Sequence, residues 1–316
     1  MRVYSVCIAA LLAACKGVVE APAGDFQSGP GGPGQSGSGG GPGGVAPPVG
    51  EDGRYICDTS THGGLSTARR LTAGEYENVI TDVFGLTPSE QYPGTYGESV
   101  TGYSTEPGIS VIGEQGVERL LFAAEEVAEA IAPRVGELLP CASQADAACA
   151  ESFLETYGRR LFRRSLTSEE STALIALYET ERADGATFEE GVAVMTAQLL
   201  QMPAFLYSVE AVAPTGTDRR LSGLEVASRL AFHLWNSAPD ERLLDLSTSG
   251  ELDTPEGVRA EAQRLFDDPR SDRAFVRFFR EWTQTTLLSS GEKDASVFDY
   301  LSDDFVASVN ESFDRF

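Results

Sequence analysis

Arg69-Arg70-Leu71-Thr72-Ala73-Gly74-Glu75 is the stretch that decides the fold. A hydroxyl residue, Thr72, stands three positions before a glutamate. The Thr72 hydroxyl accepts from the Glu75 amide, the Glu75 carboxylate accepts from the Thr72 amide, and a helix starts between them. Leu71 is placed to staple onto Tyr76. The same device recurs in Arg163-Arg164-Ser165-Leu166-Thr167-Ser168-Glu169-Glu170 and in Arg219-Arg220-Leu221-Ser222-Gly223-Leu224-Glu225, where Leu221 staples onto Val226. Three helix starts of one design predict a chain of helical modules, with Glu75, Glu170 and Glu225 in structural roles. An arginine pair precedes each box. A helix N-terminus mildly disfavours cations, so each pair is expected to find carboxylate partners elsewhere.

Other helices follow from apolar period and stop signals. Val117, Leu120, Leu121, Ala124, Val127, Ala128 and Ile131 make one face, ended by Pro133. Phe153 to Phe162 forms a short helix. Leu174, Leu177 and Tyr178 face the core behind the second box. Val192, Met195 and Leu199 mark a helix from Phe188 to Leu200, broken by Pro203, and Phe205-Leu206-Tyr207 restarts a turn. Ser237-Ala238-Pro239-Asp240 reads as a cap with an acid at N3, Thr254-Pro255-Glu256 as another start, and Asp268-Pro269 as the next. Behind that last start Phe275, Phe278, Phe279 and Trp282 recur at helical spacing as an apolar face. Ser302 caps a final helix. Strand signals are confined to Ser110 to Ile112, inside a long loop from Thr87 to Gly116. The predicted fold is mostly α, in two to three packed helical modules after a disordered Gly/Pro/Ser-rich tether.

The amino terminus predicts an address. Met1-Arg2 is followed by an apolar run from Val3 to Ala14, and Leu12-Ala13-Ala14-Cys15 closes it. Small residues before a cysteine are the pattern of a bacterial lipoprotein signal. Removal of residues 1–14 would leave Cys15 as the lipidated first residue. The run is too short to span a bilayer core of roughly 30 Å. Residues 15–53 read as a lipidated linker, because Gly29 to Gly50 is dense in Gly, Pro and Ser and has no hydrophobic period. Such a coil reaches roughly 30–35 Å. The expected location is the cell envelope, lipid-anchored and extracytoplasmic, on either the inner or the outer membrane.

Charge and cysteine usage narrow the partners. The 316 residues carry a net charge of −24, and only Lys16 and Lys293 are lysine among 24 basic residues. That acidity opposes nucleic acid and anionic headgroups, so a membrane partner is expected through the lipid anchor alone. After loss of Cys7 with the leader, Cys57, Cys141 and Cys149 remain beside Cys15. A disulfide between Cys141 and Cys149 is expected to staple a helix connection. His62 and His233 are the only histidines. No CxxCH, zinc ribbon, Walker motif or G-x-S-x-G elbow occurs, and no metal and no cofactor is predicted.

Four residues stand as candidate binding residues: Arg229, Trp235, Asp240 and Arg270. Arg229 and Arg270 lie amid apolar helical sequence, where a buried arginine must be paired. Trp235 and Trp282 are the only tryptophans and read as core beside Leu234 and Phe279. Asp240 reads as a cap. Asp267, Asp268, Asp272, Asp303 and Asp304 lack the spacing of a calcium loop. No catalytic constellation is visible.

These segments together resemble a family common in planctomycetes and myxobacteria, built of domains of unknown function (planctomycete-specific, cytochrome-associated modules). Arg70 to Asn78 with Asp82-Val83-Phe84-Gly85 resembles the first module. Phe162 to Thr167, through Ala204 to Glu210, resembles the second. Leu221-Ser222, Glu225 to Leu230, Leu234 to Glu241, Asp268-Pro269-Arg270 and Trp282 resemble the third. The resemblance spans about residues 65 to 316 and implies modules at 54–135, 141–213 and 218–316, the third incomplete. Ser165 stands where the family usually has proline, and Gly102-Tyr103-Ser104-Thr105 where Gly-Phe-Asp-Asn is common. The reading expected from anchor and resemblance is a binding or assembly module of an envelope complex, with envelope proteins, polysaccharide or a cytochrome-type protein as partner. The alternative is a component of a redox or polysaccharide-degrading system, its cofactor on a partner or on further modules.

Overall fold

In the computed structural model the described residues are 68–86, 103–105, 113–210, 220–285, 297 and 302–315. Cys7, Cys15, Cys57, the tether, Arg219 and the Ser110 to Ile112 strand lie outside them. Among the described residues the structure is mostly α, as expected, and all of them belong to one compact unit.

The capping boxes start helices where the sequence placed them. Thr72 and Glu75 open α1 (Ala73–Phe84), which ends on Gly85 in the left-handed conformation that glycine tolerates. Buried Tyr76, Val79, Ile80, Val83 and Phe84 form its apolar stripe. α2 (Glu114–Ile131) buries Leu120, Ala123, Ala124, Val127, Ala128 and Ile131. Val117, expected on that face, is exposed. A short turn over Ala132–Arg134 leads to α3 (Val135–Leu138). The helix expected at Phe153 starts earlier: Asp146 caps α4 (Ala147–Phe153), a π-turn covers Leu154–Gly158, and α5 (Arg159–Phe162) follows.

The second box, Thr167 with Glu170, opens α6 (Ser168–Ala183). A fourth box, Thr187 with Glu190, opens α7 (Phe188–Gln201) and escaped the sequence reading. α8 (Pro203–Leu206) is one turn, as the apolar Phe205-Leu206 pair suggested. It delivers the chain to β2 (Tyr207–Ser208), which pairs antiparallel with β1 (Arg69–Arg70) in the register Arg70↔Tyr207. Residues from Leu71 to Leu206 share one apolar core, in which Tyr76 meets Phe205 edge-on and Phe84 stacks with Phe153 and Tyr157.

The third box, Ser222 with Glu225, opens α9 (Gly223–Trp235). α10 (Glu241–Ser249), a turn at Glu251–Asp253 and α11 (Pro255–Phe266) wrap it, burying Ala227, Ala231, Trp235, Leu243, Leu252 and Leu265 as a second core. The cap of α10 is Asp240, not Ser237: its carboxylate accepts from the Leu243 amide at 2.9 Å. Pro239 fixes the residue before the cap instead of the first turn. Phe232, on the opposite side of α9, belongs to the first core, and Arg69 and Arg163 both lie over its ring. α12 (Ser271–Trp282) starts two residues beyond the expected Asp268-Pro269, because Asp268 accepts from the Arg270 amide and closes a turn first. α13 (Asp303–Asp314) is capped by Ser302 and packs against α12.

Candidate functional site

α12 has two unlike faces, and they are reversed from the usual order. Arg273 and Arg277 lie one turn apart and point at α1. Asn78 and Asp82 of α1, four positions apart, meet Arg273, whose guanidinium donates to both Asp82 oxygens at 3.2 and 2.6 Å and to Asn78 Oδ1 at 3.1 Å. Arg277 Nη1 lies 3.7 Å from Glu75 Oε1. Phe275, Phe278 and Trp282 point outward instead, Phe278 at 46 % and Trp282 at 61 % relative exposure. The expectation that these rings form a core face, and that Trp282 is buried, is therefore wrong.

Two penalties oppose one another in setting the orientation of α12. Glu75 is 1 % exposed, and besides its cap bond it takes two hydrogen bonds from Arg69, at 2.6 and 3.0 Å. The Asp82 side chain is 11 % exposed. A buried carboxylate stripped of its partner costs about 3–5 kcal/mol, whereas leaving one large apolar side chain in water forgoes about 1.5–3 kcal/mol. Turning α12 by half a revolution would cover the rings but take Arg273 from Asp82 and leave both α12 guanidiniums without their α1 carboxylates, while Glu75 would keep Arg69.

The exposed rings are gathered. Phe278 stacks on Trp282 at 6.1 Å and on Tyr103 at 6.3 Å, and half-exposed Phe266 at the end of α11 meets Phe275 edge-on at 5.6 Å. Ser104 donates to Glu281, fixing the Tyr103 turn beside the helix.

Three of the four candidate binding residues meet elsewhere. Arg270 lies over the buried Trp235 ring, whose indole N–H donates to the Leu265 carbonyl at 2.9 Å. Asp268 holds the Arg270 guanidinium through two oxygens, at 2.9 and 2.8 Å. That hydrogen bonding pulls the Asp268 carboxyl down to about 2. Asp240 takes two bonds from Arg264, which also pairs with Glu261, and Glu261 takes Arg242 as well. Burial alone would raise the Glu261 pKa, but the two guanidiniums outweigh it and hold it below its ordinary value. These charges are spent on one another, so the network braces the second core. Arg229 stands apart: its side chain is 59 % exposed on the surface and pairs with Glu210, not amid apolar helices as its sequence neighbours suggested.

The arginine pairs divide their work. Arg69 and Arg164 each grip the glutamate of their own capping box, six residues on, instead of a distant carboxylate. Hydrogen bonding from Arg164 lowers the Glu170 pKa. Arg163 turns inward and donates to the carbonyls of Leu161, Ala204, Phe205 and Tyr207; burial pushes its pKa down to about 10. Cys141 and Cys149 are joined by a disulfide, with Asp146 capping α4 between them. Among the described residues no group of three or more His, Cys, Asp and Glu is placed to hold a metal, and no helix is long and apolar enough to cross a membrane.

Among the described residues the arrangement gathers exposed rings, and no nucleophile, base and acid are brought together there. Comparison with known proteins supplies families without a described activity. Two parts of the chain match domains of unknown function. Residues 221–316 match the family described as PSD4, protein of unknown function (DUF1592), which takes in α9 to α13. Residues 149–210 match PSD5, protein of unknown function (DUF1595), ending just past β2. No curated protein and no solved structure matches the chain. The aromatic face escaped the sequence reading, yet a signal was present. Arg273 and Arg277 interleave with the aromatics at a spacing that fits Asp82 and Glu75 on α1.

Proposed function

We propose that this chain is a lipid-anchored, extracytoplasmic binding module of the cell envelope that docks a partner on the aromatic face of α12. The observation that carries the docking is the reversed orientation of that helix. Monomeric proteins seldom leave large rings gathered on their surface unless something covers them. The Leu12-Ala13-Ala14-Cys15 pattern supports the anchor, and the Gly29 to Gly50 stretch supports a tether that lets the folded part search for its partner. The resemblance to planctomycete and myxobacterial surface proteins supports the envelope.

Two measurements test this reading. Feeding cells an alkyne-tagged fatty acid should label the protein, and Cys15→Ala should abolish the label and release the chain from membranes. A photo-reactive phenylalanine analogue at position 278 should give a discrete adduct in living cells, lost on deleting residues 29–50. The same analogue at Phe122, exposed on α2, should give none. An unlabelled Cys15, or equal yields at the two positions, would overturn the proposal.

A further inference from the structure

The occupant of the α12 face is set by what surrounds the rings. We infer that this face takes a cationic amphipathic segment of a partner protein: a short helix with an apolar stripe flanked by Lys or Arg. The inference rests on the docking reading above and names the partner's chemistry.

Four observations carry it. First, the exposed rings Phe266, Phe275, Phe278 and Trp282 offer apolar area and electron-rich faces, which attract ammonium and guanidinium groups as well as aliphatic chains. Second, several carboxylates near the rings face solvent. Asp267 adjoins Phe266, and Asp272 lies one turn before Phe275 on the same side of α12. Asp303 and Asp304 are exposed in the first turn of α13, which packs against α12. Third, four arginines near these carboxylates are engaged with other carboxylates. Arg264 pairs with Asp240, Arg270 with Asp268 and Arg273 with Asp82, while Arg277 faces Glu75. The face therefore joins apolar rings to an acidic rim. Fourth, the net charge of −24 steers cations toward the molecule and repels anionic lipid and nucleic acid.

A neutral glycan fits less well. Three of the four rings are phenylalanine and bring no polar group for sugar hydroxyls. The length matches a helix in a groove: Phe275 to Trp282 spans about 10 Å of helix axis, or two turns of a partner.

The test uses the full chain and a designed leucine–lysine amphipathic peptide of about five turns. A leucine–glutamate peptide of equal length and a neutral hexasaccharide serve as comparisons. Trp235 is buried and Trp282 exposed, so a blue shift of emission on binding reports Trp282. The lysine peptide should bind one to one, shift the emission, and weaken about tenfold or more between about 50 and about 300 mM salt. Phe275→Ser with Phe278→Ser should weaken binding at least about tenfold while leaving Trp282 as reporter. Asp267→Asn with Asp272→Asn should weaken it severalfold. Unchanged far-ultraviolet circular dichroism and melting temperature of each variant would show that folding is intact. Equal binding by the glutamate peptide, indifference to the serine substitutions, or a shift with the hexasaccharide alone would overturn the inference. An adduct at position 278 in cells together with silence of the lysine peptide would overturn the cationic partner and leave the docking face standing; absence of the adduct would remove both.

Discussion

The guanidinium carbon of Arg270 lies 3.4 Å from the centre of the Trp235 ring. Arg264 approaches the same ring at 5.4 Å. Arg270 is therefore a clasp: it covers the largest side chain of the second core, and Asp268 fixes its fork in place. The turn joining α11 to α12 is held by this contact, and with it the orientation of the aromatic face. A desolvated cation–π contact contributes about 2 kcal/mol. Arg270→Ala should lower unfolding free energy by about 1–2 kcal/mol in urea titration. Arg270→Lys should recover only part of that, since an ammonium cannot accept the bidentate grip of Asp268. Full recovery by lysine would show that charge alone matters.

Acid should loosen this region and the start of α6. The Asp268, Glu170 and Glu261 carboxyls all sit below their ordinary values, Asp268 at about 2. A carboxyl depressed by folding adds stability that is present above its unfolded pKa and lost as pH falls through its folded pKa. Stability should therefore decline from about pH 4.5 downward, with the Asp268 share fading between about pH 4 and about pH 2. Denaturant midpoints measured along that range should fall, and Asp268→Asn should flatten the fall at its acid end. An unaltered slope in that variant would remove Asp268 from the account.

What the sequence disclosed was local. Thr72–Glu75, Thr167–Glu170 and Ser222–Glu225 each satisfy their amides within four residues, so their helices could be read without knowing the fold. Thr187–Glu190 obeys the same rule, behind the stronger apolar signal of Val192, Met195 and Leu199. The face of α12 could not be read locally. Its aromatics have perfect core spacing, and only the distant carboxylates of α1, nearly 200 positions away, turn Arg273 and Arg277 inward. For the same reason Arg229 and Arg270, alike in sequence context, end on the surface and over Trp235 respectively.

Arg163 should prove the least replaceable arginine. It sits in the left-handed conformation with φ 59°, and its fork serves four carbonyls that line the junction of α5, α8 and β2. Arg163→Met keeps the volume and removes every donor. Buried acceptors left without partners cost about 1–3 kcal/mol each, relieved in part by water. The variant should lose about 3–5 kcal/mol, read as a lower denaturant midpoint with an unchanged m-value. A loss below about 1 kcal/mol would mean that the carbonyls have other donors.

The disulfide should matter moderately. Cys141 and Cys149 are 8 residues apart, so the crosslink removes limited freedom from the unfolded chain, about 2–3 kcal/mol on the loop-entropy estimate. Cys141→Ala with Cys149→Ala should cost about that much in calorimetric or chemical unfolding. The far-ultraviolet spectrum should stay unchanged, because Asp146 still caps α4. Loss of helical signal at room temperature would show that the crosslink, rather than the cap, holds that connection.

Two glycine substitutions should move stability in opposite directions. Both Gly136 and Gly223 lie in helices, where alanine is favoured over glycine by about 0.5–1 kcal/mol. Nothing approaches within 4 Å of a Cβ built on Gly136, so Gly136→Ala should be neutral or raise the melting temperature. A Cβ on Gly223 would fall 2.3 Å from the Ser247 carbonyl oxygen. That atom is main chain of α10 and cannot rotate aside, so the first turn of α9 would have to move away from its neighbour. Overpacking of this kind costs about 1–3 kcal/mol, more than the gain in helix propensity. Gly223→Ala should lower the melting temperature, and because α9 carries both Phe232 and Trp235, the loss should appear in Trp235 fluorescence at the same temperature as in the helical signal. A rise in melting temperature for Gly223→Ala would mean that α9 and α10 are not in main-chain contact at this point.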